Sequence, residues 1–305
     1  EPANVLTPTE FSTRITQSLK HPNLNIEILG TKEMQDLGMN AALGVAKGSS
    51  QLPKLIIIDY KGCPENNTNT ITFIGKGITF DSGGISLKPA LNMGDMKGDM
   101  SGAAAVISAT KAIAELNIAV NLKTIVIATE NMPGASAQKP GDIVISMNGK
   151  SIEIDNTDAE GRLILADAIT YARKLGAQKI VDVATLTGAI SVALGNVYAG
   201  IFGNDQLLID QIICAGENCG EKFWQLPLSP DYAKQNDSVV ADIKNTGGRL
   251  AGSITAAEFL HAFVEDTPWV HIDIAGTART RKNTYMREGA TGITVRTLVD
   301  FAKNL

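Results

Sequence analysis

The chain reads as a single α/β domain with a mainly parallel central β-sheet flanked by helices, and three observations predict it. Apolar runs of strand character alternate with runs of helical character along all 305 residues, the pattern of strands joined by helical crossovers. The runs at 55–59 and 121–129 are near-continuous rather than alternating, as in strands covered on both faces. No internal repeat and no linker divides the sequence.

In order, Thr7, Pro8 and Glu10 predict a helix start: Thr7 as cap, Pro8 at the first helical position, Glu10 closing a capping box. That helix is expected to reach Lys20. Residues 25–29 alternate as a strand does, 31–37 reads as a short helix ended by Gly38, and 40–46 reads as another. The strand at 55–59 leads through a polar loop, 62–69, to a strand at 70–74. Beyond it 75–89 turns glycine-rich. Gly75, Gly77, Gly83 and Gly84 let the backbone approach a ligand or take φ above zero, and Lys76, Asp81 and Lys88 supply charge.

A helix over 101–116 carries Ala105, Ala109 and Ala112 for close packing, with Asp99 just ahead of it. The strand 121–129 runs out through Glu130 and Asn131, at the carboxyl edge where open α/β sheets place ligands. A hairpin of 143–147 and 151–154 around Asn148 and Gly149 delivers the chain to Asp155. Next comes Asn156-Thr157-Asp158-Ala159-Glu160-Gly161-Arg162-Leu163, then a helix to Leu175 with Leu165, Ile169 and Ala172 as its core stripe. A strand at 178–184 continues through Thr185, Leu186, Thr187 and Gly188 into a small-residue helix. A strand at 197–202, helices at 205–216 and 254–264, a strand at 269–274 and a helix at 293–304 complete the chain.

Asp158 and Glu160 stand two apart, so they converge only if the backbone there is a loop, which Gly161 permits. Two readings stand. Either they are first-turn acids favoured by the positive end of the following helix, or they meet around a cation. Together with Asp81 and Asp99 they make four negative charges, which two divalent ions would neutralise. His21, His261 and His271 are too scattered for a zinc triad, and the last two read as core histidines. A carboxylate-dominated site favours magnesium or manganese, with zinc and cobalt open where geometry and supply allow. Lys76 by its own chemistry reads as an ion-pair partner.

Composition narrows the classes. A 44% hydrophobic and 19% charged balance is ordinary for a folded enzyme. The formal charge of −5 disfavours nucleic acid as a partner, and the short basic run 279–282 reads as a solvated loop. No apolar stretch approaches the ~18 residues that span a bilayer, and no leader-like segment opens the chain. Cys63, Cys214 and Cys219 cannot all pair, which fits a reducing, cytoplasmic location.

Residues 75–77 and 80–84, the Leu87-Lys88-Pro89 step, residues 96–100 and the block 156–163 together resemble the leucine aminopeptidases, two-metal exopeptidases of the cytosolic type. The resemblance covers the whole chain. It implies that Asp81 and Glu160 each touch both metals, that Asp158 completes one site, and that Lys76 with Asp99 completes the other. It further implies Lys88 as an electrophile on the scissile carbonyl and Arg162 as anchor for a bicarbonate general base. Arg162, Leu186 and Gly188 correspond to the bicarbonate pocket, and Met96 and Thr185 to the pocket for the first side chain. A hydroxide shared by the metals would attack the peptide bond of substrates with a free N-terminus.

The family forms homo-hexamers. In it a separate N-terminal domain precedes a catalytic domain opening as 2–8 does here, so the resemblance implies a truncated or processed chain with 1–305 as the catalytic domain. Some members also act on DNA, which the acidic balance argues against for this chain alone. A two-metal phosphatase or nuclease would want a phosphate-gripping motif, and the sequence holds none.

Overall fold

Period-two alternation along the strands decides how this chain layers. In the computed structural model, which describes residues 1–65, 70–280 and 288–305, neighbouring strand positions feed two separate cores. Ile56, Ile58, Phe73, Val126, Val181 and Val183 belong to one. Leu55, Ile57, Ile74, Ile125, Ile127 and Ile180 belong to the other. A sheet buried on both faces needs apolar residues at every position, hence the near-continuous runs.

The first half of the chain comprises α1 (Pro8–Ser18), β1 (Leu24–Leu29), α2 (Thr31–Asp36), α3 (Asn40–Ala46), β2 (Lys54–Lys61), β3 (Thr70–Asp81), a 3-10 turn (Met93–Gly98), α4 (Ser101–Glu115), β4 (Asn121–Asn131), β5 (Ile143–Ile145) and β6 (Ser151–Glu153). Then follow α5 (Gly161–Lys174), β7 (Lys179–Ala184), α6 (Gly188–Leu194), β8 (Ala199–Gly203), α7 (Gln206–Cys219), β9 (Phe223–Gln225), α8 (Pro230–Ala233) and β10 (Ile243–Lys244). The last elements are α9 (Gly252–Val264), β11 (Trp269–Asp273), β12 (Arg279–Thr280), β13 (Gly289–Ala290) and α10 (Val295–Lys303).

Eight strands form one sheet in the order β1-β2-β4-β3-β7-β11-β8-β9. Its centre, β4-β3-β7-β11, is parallel throughout. Antiparallel pairs flank that centre, β1 with β2 and β2 with β4 on one side, β8 with β11 on the other. Helices α1, α4, α7 and α10 cover one face through residues such as Phe11, Val106, Ile212 and Phe301. On the other face α2, α3, α5 and α9 pack through Met34, Leu43, Ile169 and Phe259. The expected single α/β architecture is present, with its parallel character concentrated in the middle.

Several details differ from expectation. β3 does not stop at 74 but runs to Asp81 through the glycine-rich stretch. Pairing with β4, which continues to Asp81 after β7 has left the ladder at Gly75, outweighs the ~0.5–1 kcal/mol that glycine costs in a strand. At Gly75 the missing side chain is what lets α4 in, since a Cβ would lie 2.5 Å from the Ala103 Cα. Thr7 caps α1 by accepting from the Glu10 N–H (3.3 Å), but the Glu10 carboxylate engages Arg14 (2.7 Å), and the helix ends at Ser18. The hairpin forms with Val144 opposite Ile152, and β10 adds a third strand that its two residues did not advertise. Residues 66–69 of the polar loop and residues 281–282 of the basic run lie outside the described residues.

Candidate active site

Several chain segments meet at the carboxyl edge of the parallel strands. β3 ends on Asp81, β7 hands over to Thr185, Asp99 stands one residue ahead of the α4 cap Met100, and Glu160 occupies the cap position of α5. Between them lies a cavity of about 420 Å³. Its lining includes Lys76, Asp81, Lys88, Met96, Asp99, Asp158, Glu160, Thr185, Leu186 and Gly188. Ten of the eleven site residues expected from sequence are thus in one place. Arg162 sits just outside that lining, at the start of α5, its Nη1 donating to the Asn245 carbonyl (2.8 Å).

Charges alternate within the cavity. Lys76 Nζ lies 2.8 Å from Asp99 Oδ2 and 2.8 Å from Glu160 Oε1, and donates to the Thr185 carbonyl at 2.9 Å. Lys88 Nζ lies 2.8 Å from Asp81 Oδ2 and 2.5 Å from Asp158 Oδ1. Thr185 Oγ1 donates to Asp99 Oδ1 (2.7 Å). Lys76 thus forms ion pairs with Asp99 and Glu160.

Four carboxylates against two ammoniums leave an excess of negative charge, and the pKa directions report it. Burial raises the Asp99 carboxyl well above its usual range; Lys76 opposes this, while Glu160 and Asp81 add to it. Glu160 and Asp158 are raised for the same first reason, with Asp81 next. Burial would lower Lys76, but Asp99, Glu160 and Asp81 outweigh it and hold the ammonium above the ordinary lysine value. Lys88 is likewise raised against its burial, chiefly by Asp81 and Glu160. Arg162, surrounded by protein, is pulled down to about 10.

Groups that sequence reasoning passed over hold this arrangement in place. Asn131 Nδ2 donates both to Asp81 Oδ1 (2.8 Å) and to the Thr157 carbonyl (3.0 Å), joining β3 to the 156–160 turn. Asn245 does more. Its Oδ1 accepts from the Asp155 and Asn156 amides (2.8 and 3.2 Å), and its Nδ2 donates to the Asn156 and Ala159 carbonyls (2.7 and 3.3 Å). Asp273 accepts from the Leu186 amide (3.1 Å) and the Thr187 hydroxyl (2.7 Å), fixing the loop that carries Thr185. Only the position of Asn131 at a strand's carboxyl end hinted at such a role. His271 is the expected core histidine, its Nδ1 2.6 Å from Asp182 and fully buried.

The donor set suits divalent cations. Asp81, Asp158 and Glu160 each present a carboxylate oxygen within 4.8 Å of the others. Glu160 is 1% exposed and its Oε2 has no hydrogen-bond partner among the described residues, an orphaned lone-pair donor of the kind a hard ion satisfies. No helix among the described residues is long and apolar enough to cross a membrane.

Comparison with known proteins agrees with the geometry. The model of the cytosol aminopeptidase family, catalytic domain, matches residues 1–299. A probable cytosol aminopeptidase of Solibacter usitatus is 51% identical over 303 residues, covering 99% of this chain and 63% of the relative. One from Brucella melitensis is 50% identical over 300 residues, covering 98% and 61%. Among solved structures, the bottromycin maturation enzyme BotP superposes with a TM-score of 0.93 at 36% identity, covering all of this chain and 66% of that one. BotP in complex with Mn gives 0.94, with 67% of that chain covered. The chain thus spans about six tenths of the length of the curated relatives it matches.

Proposed function

The chain belongs to the cytosol aminopeptidase family, and from that premise we propose that it is the catalytic domain of a metal-dependent aminopeptidase that releases N-terminal residues, leucine among them, from peptides. One observation carries the reading: oxygens of Asp81, Asp158 and Glu160 gather within 4.8 Å in a cavity that Lys76 and Lys88 also line. Asp81 and Glu160 would hold two divalent ions, Asp158 completing one site and Lys76 with Asp99 the other. Zinc, manganese, magnesium and cobalt all suit the set, and the Mn-bound neighbour speaks for manganese. Such ions, when bound, supply Lewis-acid activation of water and of the peptide carbonyl.

The chain's own groups do the rest. Lys76 joins the ligand set only as a neutral amine, so it must first give up a proton that its acidic neighbours now retain. Lys88 presents an ammonium where the carbonyl oxygen gathers negative charge in the transition state. Asp99 faces the substrate's free amine, which confines cleavage to the N-terminus. Arg162, whose Nε has no hydrogen-bond partner among the described residues, forms with Leu186 and Gly188 a pocket for bicarbonate, a general base when bound. Met96 and Thr185 border the place of the first side chain.

Hydrolysis of leucyl p-nitroanilide with added manganese or zinc, lost to a chelator, is the expected result. Release from p-nitrophenyl phosphate instead would overturn the reading in favour of a phosphatase. Asp81→Ala should abolish metal content, whereas Lys88→Ala should keep it and lower kcat by about 10²–10³. Full turnover in Lys88→Ala would remove that lysine from the chemistry.

The same reading makes 1–305 one catalytic domain and the assembly a cytoplasmic homo-hexamer acting on free-N-terminal peptides, with no nucleic acid engaged. Three unpaired cysteines and the net charge of −5 support it, as do exposed Val192, Val239 and Leu250, apolar surface that a second copy could cover. Sedimentation should return six copies of the 32.2 kDa chain. A persistent monomer would retire the hexamer without touching the peptidase.

A further inference from the structure

Behind the cavity just described lies a second one, of about 430 Å³. The two share Asp95, Gly98, Ser101, Ala278 and Arg279 in their linings. Beyond that common wall the second cavity is bordered mainly by apolar groups, Met100, Ala104, Ala105, Ile274, Ile293 and Val295, with Glu1 and Lys97 also in its lining. The wall itself is thin. Gly98 adds no side chain, and a Cβ built there would find only Ser101 Oγ, at 4.0 Å. Ala278 adds a single methyl. The one bulky feature is the Asp95–Arg279 ion pair, whose side chains are 47% and 48% exposed. An exposed pair of this kind contributes little to stability.

We infer that the place for the substrate's first side chain runs on through this wall into the second cavity. The site then takes N-terminal residues whose unbranched or aromatic apolar side chains reach well beyond leucine. The inference rests on the aminopeptidase reading and names its substrate class. Apolar surface moved from water into such a lining favours binding by about fourfold per methylene, so a longer side chain gains rather than loses as long as room lasts.

The test uses the metal-loaded full chain and p-nitroanilides of leucine, phenylalanine, 4-phenylphenylalanine and 2-aminodecanoic acid. The readout is kcat/KM for each long substrate divided by that for leucine in the same preparation. The expected ratio is at or above about one for the unaltered protein, falling at least 30-fold in Gly98→Leu and in Ala104→Phe. Gly98 lies outside the left-handed region, so leucine fits its backbone. Ala104 lines only the second cavity and is five residues from Asp99, so it checks the result if the first variant disturbs that acid. Leucyl hydrolysis with the long substrates a hundredfold poorer, or ratios unchanged in both variants, would overturn the inference and leave the aminopeptidase standing. No N-terminal release from any substrate would overturn both together.

Discussion

Gly161 opens α5 with an ordinary helical backbone, and a Cβ there would lie 2.6 Å from Lys76 Cε and 2.8 Å from its Nζ. The residue is glycine for space and not, as its place after Glu160 suggested, for a turn; the positive φ values of the site belong to Gly83 and Gly84. Alanine in a helix is normally worth about 1 kcal/mol over glycine. Gly161→Ala should nevertheless lower the melting temperature, and turnover by at least about 10²-fold, because Lys76 must leave its place between Asp99 and Glu160, and two buried acids without their cation cost more than the helix gains. Undiminished turnover would show that Lys76 has more room than the geometry allows. Residues of this kind were partly legible. Asp81, Asp99, Asp158 and Glu160 stand in unusual local runs, whereas Asn245 lies 89 and 90 residues from the positions of the turn it holds, in a segment with no pattern of its own.

At the scale of elements, α5 is tied to its neighbours by one buried acid. Asp167 is fully buried and accepts from the Ala42 amide of α3 (2.9 Å) and the Met147 amide of the hairpin turn (2.8 Å). Burial pushes its carboxyl up to about 7, against the pull of those amides. The unfolded carboxyl ionises near 3.8, so between that pH and about 7 the folded chain binds the extra proton. Stability then falls as pH rises through this window, with a slope of at most about 1.4 kcal/mol per unit. Chemical denaturation from pH 4.5 to 7.5 should show this decline, and Asp167→Asn should flatten it, costing about 1–3 kcal/mol at pH 4.5, where one amide then faces an NH₂ group, and progressively less as pH rises. Identical slopes in both proteins would place the decline elsewhere. The helix at α5 was expected from its stripe of Leu165, Ile169 and Ala172; that its polar Asp167 is equally buried was not, since its partners come from two other elements.

For the whole molecule, the sheet acts as the frame on which like charges are held together. The end of β3 and the starts of α4 and α5 bring four carboxylates to one edge, and the packing of both cores, with Lys76 and Lys88 between the acids, keeps them there against their repulsion. Divalent ions that bind this arrangement and not the unfolded chain should stabilise it by about 2.7 kcal/mol at a hundred times their Kd. Manganese should accordingly raise the melting temperature by several degrees, and Asp81→Ala should abolish the rise. A rise that survives in Asp81→Ala would mean that the ion binds somewhere else.

What the sequence determined by itself was local or periodic: the α/β alternation, the two-faced burial of 55–59 and 121–129, and the acids and lysines of its unusual runs. Those signals are carried by neighbouring residues, and side-chain period and backbone preference act over a few positions. Tertiary structure alone decided the strand order, the antiparallel flanks, the continuation of β3 to Asp81 and the second cavity behind Gly98 and Ala278. Each of these depends on which distant surfaces meet, and their contacts arise only once both faces of the sheet are covered.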